Sequence, residues 1–174
     1  MFKSIVVAFD GSVHAGRALE IGARLAAQEQ VPLGIIYVID SAQMQIPTEM
    51  RKMGEVEHVI EPVARRVVDF QAAPVNLVNT MNQASADSEK AMLQYADFLV
   101  GQARRSALDC GVEDVDARAV LGSPAEEVVD FASERNADLV ICGSRGFGRL
   151  KSLLLGSTSH KIAQLAECSC LTVK

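Results

Sequence analysis

At 174 residues and a formal net charge of -5, the chain has the size of one domain and lacks the broad basic surface of a nucleic-acid binder. Hydrophobic residues at 49% and charged residues at 22% are ordinary for a globular protein, and no apolar run reaches the roughly 18 residues of a membrane span. The four cysteines, Cys110, Cys142, Cys168 and Cys170, read as reduced thiols, and the N-terminus shows no cleavage-site pattern. A cytoplasmic location is expected, with neither nucleic acid nor membrane as partner.

Ser4 to Phe9 is a continuous apolar run, the pattern of a parallel strand covered on both faces. Asp10-Gly11-Ser12 breaks it. Ala15, Ala18, Leu19, Gly22, Leu25 and Ala26 then recur at helical spacing, and Val31-Pro32 stops that helix. Leu33 to Ile39 reads as a second buried strand. Met92, Ala96, Leu99, Val100, Ala103 and Ala107 form the stripe of another helix, which closes at Cys110-Gly111 with glycine as C-cap. A short strand follows at Ala117 to Leu121. Ser123-Pro124-Ala125-Glu126 predicts an N-cap, a first-turn proline and a capping-box glutamate, with Val128, Val129 and Ala132 as the inner face of a helix ending at Asn136. Leu139 to Cys142 and Cys170 to Val173 are the last two strands.

Strands alternating with helices define an α/β protein with a mainly parallel sheet, in which ligands bind at the carboxyl ends of strands where the strand order reverses. If the first and fourth strands are neighbours, Asp10 and Gly143 meet at that crevice. The fourth strand delivers the chain to Gly143, Gly146, Gly156 and Ser157, spaced G-x2-G-x9-G-S. The loop ends at Gly156-Ser157-Thr158-Ser159, before the apolar positions Ile162, Ala163, Leu165 and Ala166. Glycine lets a backbone N–H approach an anion closely, and a hydroxyl-rich helix start adds the positive end of the helix dipole. This pattern reads as a phosphate cradle. Neither a Walker loop nor the Rossmann G-x-G-x-x-G spacing is present.

Residues 41–87 interrupt the alternation with Met44, Met50, Met53, Met81 and three prolines, Pro47, Pro62 and Pro74. A gap this long between strand and helix suggests a lid, an interaction element or partial disorder.

With strand-DGS at the start and strand-G-x2-G-x9-G-S near the end, the sequence resembles the UspA-like universal stress proteins over residues 1–40 and about 88–174. The resemblance implies an open five-stranded parallel sheet in order 3-2-1-4-5 with helices on both faces, in a single domain over 1–174 with an atypical insertion at about 41–87. It also implies a homodimer through the last strand, Cys170 to Val173. The complete glycine pattern marks the family's ATP-binding branch, so the expected ligand is ATP, or AMP or ADP, with Mg2+. Carried over by position, Gly143 and Gly146 would lie on the ribose and phosphates, and Gly156, Ser157 and Thr158 would hold the phosphates. Asp10, with Ala8 and Phe9 beside it, would face the adenosine, and Val38 would meet adenine through its backbone. Cys142, Arg145 and Ser159 complete the expected set. Two departures stand out. Phe9 occupies a position where the family often has proline, which narrows or reshapes the adenine slot, and Ser169-Cys170-Leu171-Thr172-Val173 replaces a Pro-Val-Leu-Val-like strand.

Asp10 also suits an Asx-turn or helix N-cap. Arg145, Arg149 and Lys151 can offset phosphate charge or form a solvated face. Cys168 and Cys170 fall on one side of a strand and read as packed free thiols rather than metal ligands, and His14, His58 and His160 form no hydrolase triad with a serine and an acid. The expectation is therefore a nucleotide-linked stress-response sensor or regulator with no catalytic residues assigned and with scope for an unidentified protein partner. A slow ATP-hydrolysing enzyme and a nucleotide-independent dimeric scaffold are the alternatives.

Overall fold

The structure is a computed structural model that describes residues 2–40, 88–146 and 156–174. Its elements alternate along the chain: β1 (Ile5–Ala8), α1 (Val13–Glu29), β2 (Leu33–Asp40), α2 (Ser88–Asp109), β3 (Val115–Gly122), α3 (Pro124–Glu134), β4 (Leu139–Gly143), α4 (Ser157–Leu165) and β5 (Ser169–Val173). The five strands are all parallel, in the expected order β3-β2-β1-β4-β5.

The centre of the sheet explains why β1 reads as an unbroken apolar run. Ile5, Val6 and Val7 are each 0% exposed, because β1 lies between β2 and β4 with helices on both faces. Alternation sends Ile5 and Val7 into the layer that holds α1 and α2, and Val6 into the layer that holds α3 and α4. Each such side chain contributes about 1.5–3 kcal/mol as an upper estimate.

Local signals place the helix ends with small corrections. The first helix stops at Glu29, with Gln30 in the left-handed region (φ 56°), one residue before the expected Val31-Pro32. On α1, Ala23 is buried and Leu25 only partly so, a rotation of the predicted stripe. Pro124 opens α3 as expected, but Ser123 makes no side-chain cap bond, so the capping box is not formed. Glu126 and Glu127 instead place negative charge against the positive end of the helix. The inner face of α3 is Ala125, Val128, Phe131 and Ala132, while Val129 is only half-buried. On α4 the correction is larger: Ala163 and Leu165 are exposed, and Ser159 and Ile162 alone are buried.

Candidate functional site

Because Ala8 on β1 pairs with Cys142 on β4, the two strands end side by side at the switch point. The crevice beyond them has two walls of different construction.

The β1–α1 wall is an internally bonded turn. Gly11 takes φ 83°, a conformation that favours glycine, and this allows Asp10 Oδ1 to accept the Ser12 N–H at 2.8 Å. The Ser12 hydroxyl accepts the Ala15 N–H at 3.2 Å, capping α1. Asp10 is thus an Asx-turn and also a residue at the crevice. Burial pushes its carboxyl above the ordinary 3.8, against the Ser12 hydrogen bonds and the nearby His14, which pull it down.

The β4–α4 wall is held by backbone. The Ser144 N–H donates to the Val173 carbonyl at 2.6 Å, and the Ser144 carbonyl accepts the Gly156 N–H at 2.7 Å, so the two ends of the glycine loop meet across residues 147–155. The Ser159 hydroxyl donates to the Gly143 carbonyl at 2.7 Å. Gly156 occupies the N-cap of α4 without a side-chain cap, and no acidic residue stands in the first turn. Early helical N–H groups have no intrahelical acceptor, so this end presents donors and a positive partial charge beside the exposed Ser157 and Thr158.

The walls touch at Arg145 and Gly146. Ser12 Oγ donates to the Arg145 carbonyl at 3.3 Å, and a Cβ placed on Gly146 would collide with the Asp10 carboxylate. A side chain at Gly146 would have to displace the Asp10 carboxylate, whereas at Gly143 the obstacle is backbone: its missing Cβ would lie 2.8 Å from the Ala15 nitrogen and 2.9 Å from the His14 carbonyl carbon. Both glycines permit close packing of the two walls, a reason the spacing alone did not separate from ligand approach. Gly156 has room for a Cβ, with the Ser144 carbonyl oxygen nearest at 3.4 Å.

Of the remaining expected residues, Ala8 and Val38 are half-buried and pack toward the α3/α4 layer. Phe9 is 9% exposed and belongs to the α1/α2 core, while its N–H donates to the Ile36 carbonyl at 2.9 Å. Its side chain packs into that core. Cys142 is buried on the α3/α4 side with its sulfur 4.0 Å from Thr172 Oγ1, and burial pushes its thiol pKa up. Arg145 is half-buried, and its Nε has no hydrogen-bond partner among the described residues. Arg149 and Lys151 lie outside the described residues.

Three participants escaped the sequence reading. Ser12 was read as a strand break and as part of the DGS motif, without a bonding role, although its hydroxyl ties the walls together. Ser144, 1% exposed, carries the backbone bonds that close the loop. Tyr37 lies near enough to Asp10 for that charge, after burial and Tyr95, to help raise its phenol pKa. The period-two alternation that turns Tyr37 away from Val38 is the only signal that could have pointed to it. Among the described residues no group of His, Cys, Asp and Glu could hold a metal ion, and no helix is long and apolar enough to cross a membrane.

Fold and crevice define a doubly wound parallel α/β protein with its candidate site at the strand-order switch. The model of the universal stress protein family matches residues 1–174, and the chain belongs to that family. It is 29% identical over 174 residues to universal stress protein YxiE of Bacillus subtilis, with all of both chains covered. It is 31% identical, again over the whole of both chains, to a universal stress protein of Thermus aquaticus encoded in the QAH/OAS sulfhydrylase 3' region. A universal stress protein solved in complex with cAMP has the same fold, with a TM-score of 0.58, 21% identity, and coverage of 99% of this chain and 96% of that one. So does an Archaeoglobus fulgidus universal stress protein solved in complex with dAMP, with a TM-score of 0.56, 15% identity, and coverage of 99% and 98%.

Proposed function

We propose that the protein is a cytoplasmic, ATP-binding universal stress protein that acts as a nucleotide-linked sensor or regulator of the stress response. The observation that carries this reading is the N-terminus of α4, with no side-chain cap, exposed Ser157 and Thr158 and no acidic residue in its first turn. A triphosphate fits this donor set, as would the shorter phosphates of ADP or AMP. The complexes of structural neighbours with cAMP and dAMP support an adenine nucleotide here.

Gly156, Ser157 and Thr158 hold phosphate oxygens through backbone N–H groups and hydroxyls, with Arg145 and Ser159 beside them. Asp10, kept away from the phosphates by charge, accepts from ribose hydroxyls, while the backbones of Ala8, Phe9 and Val38 flank the base. Gly143 and Gly146 keep the two walls close, and Cys142 seats the end of β4. Mg2+ would neutralise phosphate charge. The whole chain acts as one domain, and pairing of two copies through β5 is supported by Leu171, 39% exposed on an edge strand.

Binding then acts by linkage: ligand at 100 times its dissociation constant stabilises the folded state by about 2.7 kcal/mol. The test is the thermal midpoint with ATP and Mg2+, compared with AMP, GTP and NAD. Adenine nucleotides should raise it, and Gly146→Ala, whose Cβ displaces Asp10, should abolish the rise while leaving the ligand-free midpoint nearly unchanged. No shift with any nucleotide would overturn the reading.

A further inference from the structure

The α3/α4 side of the sheet carries an apolar ledge at the carboxyl ends of three adjacent strands. Ala8 on β1, Val38 on β2 and Val120 on β3 all pack toward that layer, and all three are half-buried. Two residues deeper along β1 and β2, Val6 and Ile36 are fully covered, so the covering thins toward the strand ends. Adjacent strands lie about 4.8 Å apart, so the ledge spans about 10 Å across the three. One polar group stands at its far end. A Cβ placed on Gly122, the last residue of β3, would overlap the Glu127 carboxylate, with Cγ at 2.6 Å and Cδ at 2.7 Å. Gly122 lies two residues beyond Val120 and shares its face, so the Glu127 side chain of α3 covers that same side of the sheet. Glu127 is half-buried, and among the described residues its carboxylate has no hydrogen-bond or ion-pair partner. Asp40, the register partner of Gly122, is already engaged.

We propose that Glu127 determines base specificity: its carboxylate accepts a hydrogen bond from the 6-amino group of adenine while the base lies on Ala8, Val38 and Val120. This rests on the nucleotide reading above and adds the reason for adenine. A flat apolar step with one polar group at its margin suits a heteroaromatic base, which needs burial for its faces and a partner for its edge. A half-covered carboxylate has lost part of its hydration without a protein donor to replace it, and a ligand N–H supplies that donor. Adenine presents an amino donor at this edge, whereas guanine and hypoxanthine present a keto oxygen. A keto oxygen against the carboxylate sets acceptor against acceptor, and both lose water without gaining a partner. The strand order β3-β2-β1-β4 places the Glu127 end of the ledge and the α4 end of the crevice on opposite sides of β1. The base therefore points toward β3 and the phosphates toward β4.

The test titrates the full chain with ATP and with inosine triphosphate in a calorimeter, with ligand-free melting as the check on folding. The wild type should bind ATP at least about tenfold more tightly, the low end for a hydrogen bond to a charged group. Glu127→Ala should lose about tenfold in ATP affinity and nothing in inosine triphosphate affinity. In Glu127→Gln, whose amide donates as well as accepts, the ratio of the two affinities should fall toward one. Asp40→Asn should keep the wild-type ratio. A wild type that binds ATP with a ratio near one, or Glu127 variants that keep the wild-type ratio, would overturn this assignment and leave the nucleotide reading standing. Collapse of the ratio in Asp40→Asn alone would overturn it too, by passing the role to Asp40. A wild type that binds no nucleotide would overturn the nucleotide reading and this assignment with it.

Discussion

The two helix starts at the crevice make an instructive pair. At α1 the Ser12 hydroxyl meets an early N–H, the Asp10 carboxylate accepts from Ser12, and Gly11 supplies the turn. At α4 the N-cap is a glycine with no side chain to offer, and the hydroxyls of Ser157 and Thr158 face outward. One start is capped by its own side chains and fixes a carboxylate; the other has no side-chain cap. On the proposed reading, the rigid wall would orient a ligand and the bare wall would attract it.

The largest break in that arrangement should come from Gly143→Ala. Its Cβ must push on the backbone of His14 and Ala15, so the rigid wall itself moves. A loss of about 3 kcal/mol, the upper end of overpacking, is expected in denaturant melts. A midpoint within error of the wild type would show that the walls can separate freely. Gly156→Asp sharpens the contrast from the other side. It gives α4 the cap that α1 already has, and the nearest atom to the new Cβ leaves room for it. The ligand-free protein should gain roughly 0.5 kcal/mol while the nucleotide-dependent stabilisation of about 2.7 kcal/mol disappears. Retained nucleotide response would remove α4 from the site. Ser12→Ala should cost about 1 kcal/mol through loss of the α1 cap, read as a lowered melting temperature with or without ligand.

The smallest effect is a pH dependence. Because the folded-state pKa of Asp10 lies above 3.8, the folded chain holds that proton more tightly than the unfolded one. Stability therefore falls as pH rises from 3.8 through the raised value, and stays lower above it. Asp10→Asn, which keeps an acceptor for Ser12, should melt above the wild type at neutral pH, and the gap should close in acid. Parallel curves for the two proteins would mean that Asp10 is not held in a desolvated place.

How much of this was legible beforehand varied with the physics involved. The buried run Ile5-Val6-Val7 and the stripe Ala15, Ala18, Leu19, Gly22 declared their elements, since burial on both faces or on one leaves a period in the sequence. The strand order came from resemblance to a family, which pattern alone could not supply. Phe131 was passed over as a core residue because α3 has apolar side chains on more than one face, and which of them is buried depends on packing against β2 and β3. The roles of Gly143 and Gly146 were illegible for a related reason: their close partners, His14 and Asp10, are distant in sequence. Met92 and residues 41–87 lie outside those whose side chains are described, so the expected lid or interaction element stays an expectation.

The shallow seating of α4 carries one more consequence. It buries Ser159 and Ile162, against six buried positions on α1. Few apolar anchors mean a low opening free energy, so the amides of α4 should exchange with solvent through local excursions that leave the sheet intact. A ligand seated on such a helix would suppress those excursions first, and slowed exchange in that short stretch would make the least anchored helix the most responsive part of the chain.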